Sequence, residues 1–549
     1  RGLAFLDNVV KMHPEFNQYH GASVQIPKTV VLCTDIFDQF MEQNNLYKIA
    51  LSDAPDEEIL KHFLRAQLPD SLIADFFTFF DATKSPIAVR SSSLLEDSHY
   101  QPFAGIYSTY MIPNTTDKYI MLQMLAAAIK SVYASVYYRD SKAYMMATSN
   151  VIDQEKMAVI LQEVVGHQYG DHFYPNMSGV LRSINYYPIG NETAEDGIAS
   201  LALGLGKYIV DGGLTLRVSP YHPDQVMQTS EVETALRETQ TQFYALDMSD
   251  VGSDFKVNDG FNIMKLKVKD AEYDKSLNYI VSTFDPYDQM IYDGLYDGGR
   301  KIISFAGVLQ QDVFPLPEIL QMSMKYGAGA MRRPVEIEFA CNINEDKTGE
   351  FYLLQIRPIV EAKGMLEEDI TKTSDNSCLL RSHNSLGHGI STDVVDVVYV
   401  KYDDNFSAMN NYYVADDIER INRRFLSEGK NYVLVGPGRW GSSDHYLGVP
   451  VKWPHISAAR IIVELALKNY HVDPSQGTHF FQNLTSFGVG YFTIDCNSEN
   501  GGIIRKDVLD AMPAIEETDY VRHVRFDKPL KIMMDGKKQE GAIVMDESK

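Results

Sequence analysis

Residues 335–359 read VEIEFACNINEDKTGEFYLLQIRPI. Val335, Ile337 and Phe339 alternate with Glu336, Glu338 and Ala340; further on, Leu354 and Ile356 alternate with Gln355 and Arg357. Side chains on a strand point to opposite faces with period two, so the pattern predicts two antiparallel strands around a polar turn at Asn342–Glu350. Gln355 and Arg357 then share one face, and pairing brings Glu338 to that face. A carboxylate, an amide and a guanidinium would converge beside an apolar sheet. Mg²⁺ takes hard oxygen ligands and the guanidinium fork matches phosphate oxygens, so the trio suits a metal–nucleotide. A polar-faced hairpin taken alone is more often a surface element, and the weight therefore rests on the rest of the chain.

At 549 residues the chain exceeds one ordinary core and predicts three or four domains or subdomains. Its 45% hydrophobic and 23% charged content is that of a soluble globular protein. A net charge of −24 argues against nucleic acid and anionic membranes as partners. No apolar run approaches the roughly 20 residues of a membrane helix. Cys33, Cys341, Cys378 and Cys496 lie far apart without a CxxC spacing. Reduced thiols and a cytoplasmic location are expected, rather than a zinc site or a disulfide framework. The opening Arg1-Gly2-Leu3, with no Met and no secretion signal, reads as part of a longer polypeptide with further domains.

In chain order, RGLAFLDNVV predicts a helix and Val24–Cys33 a strand. Asp56–Gln67 and Asp70–Phe80 predict helices, the second with Asp70 as N-cap. Ser85–Ser93 (SPIAVRSSS) reads as a buried strand, and 94–110 as a loop around Gly105 that ends in a strand. Thr116-Asp117 caps a long helix, and Met157–Val165 and Ser178–Ile184 are strands. The 220–300 stretch is irregular, and Leu316–Tyr326 is a helix. The charged segment 363–377 reads as a linker. Beyond it, strands are expected at Asp393–Lys401 and Tyr432–Val435, and a helix at Ile456–Lys468.

Arg90 at a strand end, followed by Ser91, Ser92 and Ser93, offers a guanidinium and hydroxyls to a phosphate, or simply a capped strand end. Ala104-Gly105 can bring backbone amides close to phosphates. Gln162 and Glu163 interrupt an apolar strand, where they could read an adenine edge or merely end the strand. Gly204–Gly206 (GLG) reads equally as a turn. In QGTHFFQNLTSFGVGYFTI, His479 stands at a loop-to-helix junction, where a neutral imidazole can attack a phosphoryl group; the other reading is a satisfied histidine among aromatics. GPGRWGSSD at Gly436–Asp444 is either an anion-binding loop with Arg439 as cation or a tight turn over Trp440. His383, His388, His445 and His455 have no metal-ligand spacing.

Taken together, SPIAVRSSSLLED…FAGIYSTY, MAVILQEVV…SGV, LALGLGKYIVDGG…VSP and VEIEF…FYLLQIRP occur in the order seen in the N-terminal nucleotide-binding domain of phosphoenolpyruvate synthase and pyruvate phosphate dikinase. The resemblance covers about residues 1–362 and implies a two-lobed ATP-grasp domain. It implies that Arg90 and Arg357 hold ATP phosphates and that Glu338 and Gln355 hold Mg²⁺ and phosphate oxygens. Gln162, Glu163 and Val165 would border the adenine, and Gly105 would lie over the triphosphate. The family's Gly-Gly-Lys loop would fall just before Arg1, and Lys207 stands where the family usually has Glu. The C-terminal part more distantly resembles the family's swivelling domain, which carries a phosphorylated histidine in a Gly-Gly-x-Thr-x-His motif; His479 follows Gly477-Thr478, and Gly488-Val489 takes the place of its Gly-Ile.

The expected fold class is therefore α/β (α+β): an ATP-grasp N-terminal lobe over 1–215, a C-terminal lobe with an insertion over 216–362, the linker 363–377, and a smaller α/β domain over 378–549. The resemblance implies a phosphotransferase that binds Mg-ATP and passes a phosphoryl group through His479 to an unidentified acceptor. The alternative is a degenerate ATP-binding sensor or scaffold module of a larger protein.

Overall fold

A computed structural model describes residues 2–93, 107–147, 155–185, 188–249, 262–359, 369–403, 406–472, 474–475, 480, 484, 489–498, 501–536 and 538–545. The fold is mixed α/β, in two compact units. The first is built from the chain up to Ile359; the second from the C-terminal part, to which Asp211–Gly213 also belongs.

The first unit is organised on a six-stranded sheet in the order β1 (Ala22–Gln25), β17 (Gly349–Pro358), β16 (Val335–Ile343), β8 (Met177–Arg182), β9 (Ile198–Ala202) and β10 (Leu216–Val218). A second sheet runs β2 (Thr29–Leu32), β5 (Met157–Glu163), β3 (Ile87–Ser93), β4 (Tyr110–Ile112). The single strand expected over Val24–Cys33 is thus two strands in two sheets. Pro27 lies between them, a residue with no N–H for a ladder. The irregular 220–300 region supplies β11 (Gln242–Asp247) and β12 (Ile263–Lys267), which continue a sheet begun by β6 (His167–Tyr169) and β7 (His172–Tyr174). It also supplies the separate three-stranded sheet of β13 (Val281–Asp285), β14 (Met290–Asp293) and β15 (Arg300–Ile303).

The expected hairpin is present: β16 and β17 pair antiparallel, with a bulge after Glu338, so that Phe339 faces Leu353 instead of Leu354. β16 is central, flanked by β17 and β8, and Glu338 is the one residue of it that is not buried. Gly179 faces Phe339 across the β8 pairing, and a Cβ there would meet that ring at 2.1 Å. Glycine at 179 therefore lets β8 and β16 close with the aromatic ring between them. Gly204 in the GLG turn has φ +88°, and a Cβ would meet the Tyr244 carbonyl at 2.6 Å, which gives that motif a structural role.

The helix expected at Asp70 begins at Leu72 after Ser71, and neither side chain caps it. Asp117 does cap the long helix Lys118–Ser135, accepting from the amides of Tyr119 and Ile120. By length and composition the stretch Lys118–Lys142 could cross a membrane; 61% of its most apolar window is buried inside the unit, where it packs against β3, β4 and the helix Asp56–Arg65. That burial is the packing of a core helix.

The second unit is a large mixed sheet. Its centre is β20 (His388–Val400), β21 (Tyr432–Pro437), β24 (Ala459–Ala466) and β25 (Gly490–Asp495), successive and parallel, with the helix Asn411–Glu428 between β20 and β21. On the other flank β28 (Val521–Asp535) pairs antiparallel with β20, followed by β29 (Glu540–Val544), β18 (Cys378–Ser382) and β26 (Ile503–Ile504). β19 (Asn384–Leu386) borders β25, and β27 (Ala514–Glu517) pairs with β28. The short pair β22 (Arg439–Trp440) and β23 (Gly448–Val449) stands apart. The helix expected over Ile456–Lys468 is instead strand β24, held between β21 and β25. Buried on both faces, it carries a near-continuous apolar run that lacks strand alternation.

Candidate functional site

The bulge after Glu338 sets the register of the polar face. Glu336 lies opposite Arg357 and Glu338 opposite Gln355, so all four project from one side of the β16–β17 pair. Bulges re-aim side chains in this way beside functional sites. From the other sheet, β3 brings Arg90 onto the same place. Its Nη2 donates to Gln355 Oε1 at 2.6 Å and lies 3.6 Å from Glu338 Oε2. Its Nη1 donates to Gln162 Oε1 at 3.2 Å, and Gln162 Nε2 reaches Thr29 Oγ1 at 3.5 Å. The structure thus joins Arg90, Gln162, Glu338 and Gln355 directly, and sets Arg357 one pair along the same ladder.

Beside this cluster lies a cavity of about 380 Å³. Arg90, Ser91, Ser92 and Gln355 give it a polar wall; Ile26, Val31, Ile160, Leu354 and Ile356 give it an apolar one. An apolar pocket with a few convergent polar groups is the usual form of a small-molecule site. The Arg90 and Glu338 side chains are 23% and 16% exposed, open enough to meet a ligand and sheltered enough for charge to count.

Glu163 and Val165 are placed differently from Gln162. Strand alternation sends the Glu163 side chain to the face opposite Gln162, while its amide donates to the Lys28 carbonyl at 2.9 Å; Val165 is buried. Gly105 and His479 lie outside the described residues.

Three residues on this face, Arg182, Glu336 and Tyr352, were not among the site residues expected from the sequence. Arg182 of β8 and Glu336 form a buried ion pair, Nε to Oε2 2.8 Å and Nη2 to Oε2 2.6 Å, on the row of the sheet that also holds Arg357. The available signal was an arginine inside the apolar run SGVLRSI. Next along the polar face, burial, and then the carboxylates of Glu350 and Glu163, pushes the Tyr352 phenol up to about 12, so it remains a neutral donor near pH 7.

Glu338 and Gln355 are neighbouring hard-oxygen donors, and the Arg90 guanidinium already sits against both. That position attracts a cation. Their chemistry fits Mg²⁺, which binds through one or two protein oxygens together with substrate phosphates. Among the described residues no group of three or more His, Cys, Asp or Glu is placed to hold a metal by itself.

In the second unit the Gly436–Asp444 segment is a tight turn. Trp440 is buried and donates to the Val463 carbonyl at 3.1 Å, and Arg439 is buried and donates to the Gly212 carbonyl at 2.8 Å. Arg439 is a structural tie, and the anion-binding reading of this loop is set aside. Glu464 on β24 is buried and accepts from the Trp440 amide and the hydroxyls of Ser475 and Tyr491. Burial pushes its carboxyl up, against the pull of those hydrogen bonds.

A family model described as pyruvate phosphate dikinase, AMP/ATP-binding domain, matches residues 8–377. Over 196 residues the chain is 28% identical to the uncharacterized phosphotransferase YvkC of Bacillus subtilis (strain 168), covering 36% of this chain and 21% of that protein. Over 255 residues it is 24% identical to the phosphoenolpyruvate synthase of Aeropyrum pernix, covering 42% of this chain and 28% of that protein. The chain therefore spans less than a third of the length of either relative.

Proposed function

The chain belongs to the pyruvate phosphate dikinase AMP/ATP-binding domain family, and on that footing we propose that it is an ATP-dependent phosphotransferase whose nucleotide phosphates rest on the polar face of β16–β17. The observation that carries this reading is the arrival of Arg90, from a different sheet, at the in-register pair Glu338–Gln355 beside the cavity. Both curated relatives bear phosphotransferase or phosphoenolpyruvate synthase names, which supports the reaction class.

Arg90 and Arg357 bind and orient the phosphates, and their fixed positive charge favours the charge that develops on a transferring phosphoryl group. Arg90 would exchange its bonds to Gln162 and Gln355 for bonds to phosphate oxygens. Glu338 and Gln355 would hold Mg²⁺, which when bound supplies neutralisation of phosphate charge. The apolar wall of the cavity limits water beside the phosphates. His479 is proposed as the first acceptor: a ring nitrogen bonds to phosphorus as the bond to the nucleotide oxygen breaks, and the group then moves to an acceptor of unassigned identity.

The test is incubation with Mg-ATP, followed by peptide mass spectrometry at alkaline pH and assay of AMP and ADP in the same tube. A phosphate on the His479 peptide, absent in His479→Ala, is the expected result. Retained ATP binding with neither adduct nor turnover would overturn the reading and leave a nucleotide-sensing or scaffold module.

A further inference from the structure

The sheet β14–β13–β15 carries a surface that the phosphotransferase reading does not use. Phe284 and Ile291 face inward, onto Ala235 and Ile302. By strand alternation Met290 and Tyr292 face outward, opposite Asp285 and Thr283. The 294–299 turn folds onto this outer face: Thr283 Oγ1 donates to the Gly294 carbonyl at 2.9 Å and accepts from the Tyr296 amide at 3.2 Å. Lys301 secures the turn through the carbonyls of Tyr296 and Gly298. The result is a held display of large side chains in water: Tyr287 is 96% exposed, Tyr296 56%, Met290 52% and Tyr292 44%. Exposed rings displayed in this way, each with a polar tip, are characteristic of interaction surfaces.

Two further features define the partner. β14 is the outer strand of its sheet and has no strand on its other side among the described residues, so its edge is open to pairing. Residues 284–300 also hold four aspartates, Asp285, Asp288, Asp293 and Asp297, against the single arginine Arg300. A second copy would bring acid against acid, in a chain of net charge −24. Cations over tyrosine rings and beside carboxylates would be favoured.

We propose that this hairpin is a docking surface for an extended, lysine- or arginine-rich segment of another protein. The segment would add as a short strand along β14 and lay its cationic side chains over Tyr287, Tyr292 and Tyr296. The backbone edge supplies pairing, and the alternating rings and aspartates supply selectivity for basic residues.

The probe is a labelled twelve-residue peptide of alternating lysine and valine, titrated into the full chain, with a glutamate–valine peptide as control. Anisotropy should show binding that weakens as salt rises, and hydrogen–deuterium exchange should slow over 290–293. The triple variant Tyr287→Ser, Tyr292→Ser, Tyr296→Ser should bind about tenfold more weakly or worse, with its melting curve little changed because the three rings lie at the surface outside the core. Equal binding by the triple variant, equal binding of the glutamate peptide, or protection elsewhere on the chain would overturn the proposal. So would concentration-dependent self-association that protects 290–293 without any peptide.

Discussion

Two of the places where arginine meets carboxylate stand in contrast, one around Arg90 and Glu338 in the first unit and one around Asp396 in the second. In the first, the side chains are partly exposed, and Arg90 and Gln355 border a cavity. In the second, Asp396 and His523 are 1% exposed and closed upon their neighbours. Asp396 Oδ1 takes bonds from His523 Nε2 and from Arg525 Nε, both at 2.7 Å; Arg424 Nη2 meets His523 Nδ1 at 3.1 Å, and Arg424 also reaches Glu516. Because arginine can only donate, His523 Nδ1 accepts and its Nε2 carries the proton to Asp396. Asp396 and His523 have their partners within the fold, while Arg424 and Arg525, 38% and 39% exposed, reach the surface. Residue types alone do not separate a site from a strut; the exposure of the carboxylate does, 16% at Glu338 against 1% at Asp396.

Four substitutions would break or sharpen that contrast. Arg357→Ala should lower ATP-dependent phosphoryl transfer roughly 10³-fold by removing transition-state charge stabilisation, while the circular-dichroism melt stays in place. Full activity in that variant would move the site elsewhere. Asp396→Ala should do the reverse, costing about 3 kcal/mol in urea unfolding of the second unit by leaving a buried histidine and an arginine without their carboxylate. The nucleotide site should keep its ATP affinity; lost ATP binding in a folded Asp396→Ala protein would make that cluster functional. Arg90→Lys keeps the charge but one ammonium cannot present a planar fork to two phosphate oxygens, and kcat/KM should fall about tenfold.

The smallest effect is in acid. Burial raises the Asp396 carboxyl, but hydrogen bonds from His523 and Arg525 outweigh it and leave the group below its ordinary value. A depressed folded value means stability that is fully present above the unfolded aspartate value of about 3.9, and lost as pH falls through the folded one. The urea-midpoint gap between the unaltered protein and Asp396→Asn should therefore be widest near neutrality and narrow below about pH 4.

Much of the first unit was legible because its signals are local. Alternation in VEIEF and in LQIRP marked the hairpin, and the Asp117 cap marked the long helix. The polar face could be named as Glu338, Gln355 and Arg357 from period alone. The bulge that places Glu338 opposite Gln355 left no mark in the sequence, and neither did the closeness of Arg90 to Gln355, 265 residues away. The Arg182–Glu336 pair is likewise a product of the β8–β16 register. In the second unit, ISAARIIVELALK carries helix-forming alanine and leucine at helix-like spacing, yet neighbours on both sides make it a buried parallel strand. Its one carboxylate, Glu464, is accommodated by Ser475, Tyr491 and the Trp440 amide, contacts that no local pattern announces.

The most direct test of the nucleotide site is calorimetric titration of ATP, with and without Mg²⁺, into the unaltered protein and into Glu338→Ala. Mg²⁺ should strengthen ATP binding to the unaltered protein, and the gain should vanish in the variant. An undiminished Mg²⁺ gain in Glu338→Ala would show that the polar face of β16–β17 does not hold the metal–triphosphate.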